Sequence, residues 1–362
     1  MENLKNFEIE NGVLIKYNGE GGDVVVPDEV TKINCYAFAN SRQSLTSIVL
    51  PNGLESIGKD TFYAFCNLKS VHFPNSLKSI GQSAFFACSA LKSVELPTGL
   101  VYIDKKAFEG CRNLVSVKLP SSVEEICNFA FSGCTRLESI HISKSTVRID
   151  EGVFSDCASL ESITVENGNE FYHSYQNCLI ETKTKTLVRG CKNSTIPNDG
   201  SVTKIGKCAF SNCYGLTSIS LPDSISAIGK GAFSGCPDLI SITVSDSVKK
   251  IDDDTFYGCT SLTDVYLSKN LNSIGASAFV ECSSLVSISL PDSVSVIGSF
   301  AFYNCTQLKS ISFGKSLKTI ESNAFFKCNN LRTIQYNGTK QEWISVFKNF
   351  AKITNRAKII TL

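Results

Sequence analysis

Residues 285–307 read LVSISLPDSVSVIGSFAFYNCTQ, and this stretch is one of eleven copies of a 23-residue unit. Leu285 opens the copy, Ile288, Val294 and Ile297 follow at three, nine and twelve residues, and Phe302 stands at seventeen. Ser287-Ile288-Ser289-Leu290 alternates polar and apolar, the period of a half-buried strand. Pro291-Asp292 ends it, because proline cannot donate to a ladder and Pro-Asp favours a turn. Val294 to Ile297 returns as a second short extended piece, and Ala301-Phe302 with Cys305 reads as one helical or 3₁₀ turn. A 23-residue unit cannot bury its own apolar face. Stacked units can, so the spacing predicts a right-handed, mostly β solenoid.

Working outward, complete copies start at Leu45, Leu68, Leu91, Leu114 and Leu137, and again at Leu216, Leu239, Leu262, Leu285 and Leu308. The copy at Leu160 begins as LESITV and then loses the pattern. Glu170-Phe171-Tyr172, Cys178-Leu179-Ile180 and Thr186-Leu187-Val188 there read as short strands of an inserted hairpin, serving as a bend, a joint or a docking feature. Five segments result: an N-terminal β-hairpin cap with a partial repeat at 1–44, regular repeats at 45–159, an irregular repeat at 160–215, regular repeats at 216–330 and a cap at 331–362. The hairpin is signalled by Glu10-Asn11-Gly12 between two alternating runs. In the C-terminal cap, Thr339 can N-cap a helix over Lys340 to Phe350, Trp343 plugs the end of the stack, and Ala357 to Leu362 closes as a strand.

Twelve phenylalanines from Phe38 to Phe325 recur at the repeat's seventeenth position and predict a core spine. Ten of the sixteen cysteines share one slot, three residues before the next Leu. Copies at ~4.8 Å with parallel side-chain vectors hold Cβ atoms farther apart than a disulfide needs. They are expected to be reduced, buried thiols filling a narrow slot.

The net charge is +1 and the sequence pI about 7.4, which points to neither nucleic acid nor an anionic membrane. No apolar run is long enough for a transmembrane helix, and the opening MENLKNFEIENG lacks the pattern of a secretory signal. His72 and His141 share a repeat position but lie three rungs apart, roughly 14 Å, too far to ligate one metal. Asp252-Asp253-Asp254 reads as a solvated corner. No nucleotide loop, catalytic triad or metal motif is present, so neither enzyme activity nor a cofactor or metal is expected.

The motif L-x-S-I-x-L-P-x-S-V-x-x-I-G-x-x-A-F-x-x-C, nearly whole in 216–236 and 285–305, resembles the BspA-like (type 5) leucine-rich repeats. The resemblance implies a non-enzymatic protein-binding or adhesion role, with a host matrix protein or cell-surface protein as partner and a cell-surface or secreted location. The absent signal and the reduced-looking cysteines leave a cytoplasmic scaffold as the alternative.

Each strand exposes the residues two and four after the opening Leu. The first row is almost all serine and reads as a tightly packed row of hydroxyls. The second row varies, as a recognition surface requires, and nominates His72, Glu95, Lys118, His141 and Tyr266 as protein-binding residues.

Overall fold

A computed structural model describes residues 4–346 and 358–361. It comprises two compact units, Met1–Thr182 and Lys183–Leu362, each a β-solenoid whose rungs repeat every 23 residues. The boundary falls inside the irregular stretch of the sequence.

In the first unit the hairpin of Phe7–Glu10 and Val13–Tyr17 turns through Asn11 and Gly12, both at positive φ. The first strands of successive rungs then form parallel ladders: Gly22–Val25, Leu45–Val49 and Ser70–His72 in one sheet, and Ser93–Glu95, Ser116–Lys118, Ser139–Ile142 and Ser162–Val165 in another. Two-residue second strands, from Ser56–Ile57 to Arg148–Ile149, build a five-stranded parallel sheet. Register partners such as Ser93 and Ser116 lie one repeat apart, so equivalent side chains form columns. The irregular repeat carries an antiparallel hairpin, Tyr172–Tyr175 against Cys178–Glu181.

The second unit repeats the scheme from Thr186–Arg189 to Thr333–Tyr336. Its C-terminal helix is Lys340–Val346, capped reciprocally: the Thr339 N–H donates to the Glu342 carboxylate (2.7 Å), and the Glu342 N–H donates to Thr339 Oγ1 (3.3 Å). Trp343 is buried against Phe313 and Tyr336, as a plug would be. Lys358–Thr361 pairs in parallel with Thr333–Tyr336. The helical expectation for 347–350, and the terminal strand residues Ala357 and Leu362, lie outside the described residues.

The turn around each core Phe corrects the expected helical or 3₁₀ turn. Only Ala39–Ser41 is 3₁₀ among the described repeat turns. Elsewhere the residues two before and two after the Phe sit at positive φ, as Phe300 (59°) and Asn304 (59°) do around Phe302. That geometry aims alternate N–H groups along the stack. The Phe85 N–H reaches Ala107 O at 2.7 Å and the Ala87 N–H reaches Glu109 O at 2.7 Å. Inter-rung hydrogen bonds thus replace the local bonds of a helix, and they offset the ~1–2 kcal/mol cost of each left-handed non-glycine residue.

The spine is stacked in both units. Successive rings from Phe62 to Phe154 lie 5.2–6.0 Å apart, and those from Phe210 to Phe325 lie 5.1–5.7 Å apart, all within 24° of parallel. All sixteen cysteines are free thiols, and the repeated slot does more than fill space. Cys236 Sγ donates to Phe210 O at 3.0 Å, and the same bond recurs from Cys88 to Phe62 O (3.1 Å) and from Cys305 to Phe279 O (3.0 Å). Cysteine therefore supplies an apolar body and a weak donor for a buried carbonyl.

At the start of the second unit, Arg189-Gly190 stands where the repeat has Ala-Phe. The Gly190 N–H donates to Ala209 O (2.9 Å), as a spine Phe does, but any side chain there would collide with the Phe210 ring. Arg189 is 3% exposed, and its Nη1 donates to Cys208 O and Ser211 O, each at 3.2 Å. The guanidinium thus ties the irregular turn to two carbonyl groups of the next rung.

Candidate recognition surface

The strand columns place the nominated residues on an outward face because the neighbouring Val94, Val117 and Ile140 are buried and Val71 and Val265 are half-buried. His72, Glu95, Lys118 and His141 are all exposed. Glu95 and Lys118 are direct register partners in one parallel sheet, and His141 belongs to that same sheet. His141 Nδ1 lies 2.9 Å from the Thr164 hydroxyl on the next rung. His72 sits on the adjoining three-stranded sheet, in register with Val49. Tyr266 belongs to the second unit, where it is 63% exposed and in register with Thr243. Around it the column is uncharged, with Ser220, Thr243 and Ser289 on other rungs, while Ile240 and Val286 add exposed aliphatic surface. The structure therefore groups Glu95, Lys118 and His141 closely, sets His72 on a neighbouring sheet, and leaves Tyr266 as a separate aromatic feature.

The serine row differs from the expectation. Ser93, Ser116 and Ser139 are exposed rather than closed into a hydroxyl ladder. Serine hydroxyls one rung apart meet in the other exposed column of the second unit, where Ser312 donates to Ser289 at 2.8 Å. Ser47 instead donates to Asp23 at 2.6 Å, joined by Thr46 at 2.9 Å, and these bonds hold the Asp23 carboxyl below its usual range, with the Ser47 contribution largest.

Sequence reasoning missed a polar cluster on the second-strand sheet of the first unit. Tyr102, Glu125 and Arg148 occupy one column at 23-residue spacing, a signal that was readable once the columns were aligned. Arg148 bonds Asp150 (2.9 Å) and Glu125 (3.0 Å), and Cys127 Sγ lies 3.1 Å from the Tyr102 hydroxyl. The hydrogen bond to Cys127, followed by burial, pushes the Tyr102 hydroxyl up, and burial pushes the Cys127 thiol up. Both groups are thereby held in their protonated forms.

Asp252-Asp253-Asp254 is internally satisfied. Lys250 pairs with Asp252 (3.0 Å), Lys230 pairs with Asp254 (3.3 Å), and Asp253 accepts the Ala276 N–H (2.9 Å). Among the described residues no cluster of His, Cys, Asp or Glu could hold a metal, and no helix is long and apolar enough to cross a membrane.

With stacked Phe and Cys columns behind a parallel strand face, the arrangement can be set against known families. The BspA type leucine-rich repeat region matches residues 16–108, 86–199, 185–296 and 273–359. The chain belongs to the BspA type leucine-rich repeat family. Its structure is similar to that of a leucine-rich cell surface protein from Faecalibacterium prausnitzii, 29% identical, covering 96% of this chain and 94% of that one with a TM-score of 0.71. A leucine-rich repeat protein from Bacteroides ovatus is 32% identical over 97% of this chain and 87% of its own, with a TM-score of 0.65. The pneumococcal vaccine antigen PcpA shares the fold, with a TM-score of 0.78 at 20% identity, covering 98% of this chain and 95% of that one. No curated protein matches the chain. Leucine-rich repeats of the BspA type are commonly surface proteins, and here the buried columns and the serine row repeat, while the second exposed row differs from rung to rung.

Proposed function

We propose that the chain is a non-enzymatic protein-binding or adhesion module that engages a host matrix or cell-surface protein with its strand face. One observation carries this reading: side-chain identity varies along the exposed column of His72, Glu95, Lys118 and His141 while the neighbouring buried column stays aliphatic. A hydrogen-bonded ladder presents these groups without much entropy left to lose on binding. Tyr266 supplies an anchor of the aromatic type that protein interfaces favour. The cell surface protein from Faecalibacterium prausnitzii, similar over nearly its whole length, supports surface display.

A second reading, an intracellular scaffold, draws on the sixteen free thiols, two of which, Cys35 and Cys66, are exposed. One experiment separates the two. Intact cells are treated with a membrane-impermeant protease and blotted for the chain. Loss of the band is the expected result and leads to matrix-protein binding assays with the strand-face variants Glu95→Lys and Tyr266→Ala. Survival of the band until lysis refutes adhesion and favours the scaffold.

A further inference from the structure

The net charge of +1 conceals an opposition between the two ends of the chain. Residues 1–31, which include the hairpin and the first strand of the first rung, hold seven acidic and two basic residues, a net −5. Residues 308–362, the last full repeat and the C-terminal cap, hold ten basic and two acidic residues, a net +8. Residues 183–307 hold ten of each, so the whole positive excess of the second unit belongs to its C-terminal end. These charges are presented rather than neutralised. Glu10, Glu20 and Glu29 at one end, and Lys309, Lys318, Lys340 and Lys358 at the other, are exposed and form no ion pair among the described residues.

Both ends add exposed aliphatic side chains to the charges. In the inward column Ile288, Ile311 and Ile334 are buried, yet Ile359 is 40% exposed, because Lys358–Thr361 is the edge of its sheet. Ile360 and Ile344 are exposed at the same end, and Leu4 and Val25 at the N-terminal one. The repeat positions also match. Asp23 is in register with Ser47, and Lys358 with Thr333, so both stand in the serine row. Val24 and Ile359 share the inward position, and Val25 and Ile360 the outward one. Copies laid end to end along their ladders therefore bring acid to base and aliphatic to aliphatic, position by position.

We propose that the basic C-terminal end of one copy docks on the acidic N-terminal end of a second copy, so that the chain self-associates head to tail. Opposite charges steer the two ends together, and a net charge near zero leaves no long-range repulsion between copies. The aliphatic side chains then supply an apolar centre within a charged rim. Like ends repel, which disfavours head-to-head and tail-to-tail pairs. The contact is heterologous, so each docked copy keeps one end for a further copy. A polyanion would satisfy the basic end alone, whereas a second copy accounts for both ends and for the aliphatic residues among the charges.

The test follows the mass of the full chain by analytical ultracentrifugation at concentrations up to about 1 mM. At ~0.01 M ionic strength, where charges reach ~30 Å, the mass should climb above the 39.4 kDa monomer as concentration rises. At ~1 M, where the reach falls to ~3 Å, it should return to the monomer. Two variants each spoil one end: Glu10→Lys with Glu20→Lys and Glu29→Lys, and Lys318→Glu with Lys340→Glu and Lys358→Glu. Each alone should self-associate about tenfold more weakly or worse. Mixed in equal amounts they should form a complex of one copy of each and nothing larger, since each supplies the end that the other lacks. A melting curve for each variant shows that it is folded. A chain that stays monomeric at low salt overturns the proposal, as does association that survives either variant. So does a mixture that stays monomeric, or a monomer whose basic end binds polyphosphate instead. None of these outcomes depends on whether the strand face binds protein.

Discussion

Truncating one ring of the spine should damage the second unit far more than truncating an equally large ring beside it. Phe233 is 0% exposed and lies between Phe210, 5.2 Å away at 8°, and Phe256, 5.7 Å away at 10°. Phe233→Ala removes both stacked contacts and leaves a hole that the rigid rungs cannot close, at a cost of roughly 3–5 kcal/mol. Folded domains have only ~5–15 kcal/mol in hand, and repeat stability is carried by nearest-neighbour contacts, so the loss weakens coupling on both sides of the rung. The control is Phe326→Ala. That ring is 49% exposed, touches Tyr303 at 5.9 Å, and should cost no more than ~1 kcal/mol. Urea denaturation followed by far-UV circular dichroism reads both variants. Equal midpoints for the two, or a Phe233→Ala midpoint matching the parent, would refute the spine as the source of stability.

Four further outcomes follow from the buried thiols, the buried arginine and the strand face. Burial pushes the Cys111 and Cys213 thiols up to about 12 from an ordinary value of 9.0, so their contribution is intact below pH 9. It is lost as pH rises toward 12, because unfolded thiols ionise while folded ones keep their protons; a melting temperature independent of pH between 8 and 11 would contradict this. Native protein should react with a thiol reagent at Cys35 and Cys66 first, and all sixteen should react in denaturant; slow, equal reaction of all sites would count against the buried ladder. Arg189→Ala removes both guanidinium hydrogen bonds to the Cys208 and Ser211 carbonyls and should cost roughly 3 kcal/mol by chemical denaturation, whereas no loss would show that the guanidinium is dispensable to the irregular turn. If the strand face binds protein, Glu95→Lys, which reverses the charge opposite Lys118, should weaken binding without moving the melting curve.

The recognition face and the polar cluster around Arg148 were legible to different degrees. The outward strand column could be read directly, because alternation is a local property and each Ile or Val announces which neighbours face water. Cys127, Tyr102 and Arg148 could not, since they are far apart in sequence and meet only because rungs align at one repeat per step.

By itself the sequence determined the period, the Phe and Cys columns and the strand alternation, and so the solenoid; the hairpin at Asn11-Gly12 and the capped helix at Thr339 were equally readable. These are short-range consequences of spacing and turn chemistry. The tertiary structure decided how the Phe turn bends, because left-handed residues that are costly in isolation become favourable once their N–H groups find carbonyls on the next rung. It likewise decided that Cys serves as a hydrogen-bond donor, and that a buried arginine bonds across the irregular turn at 189, since both depend on which carbonyl groups the stack brings within reach.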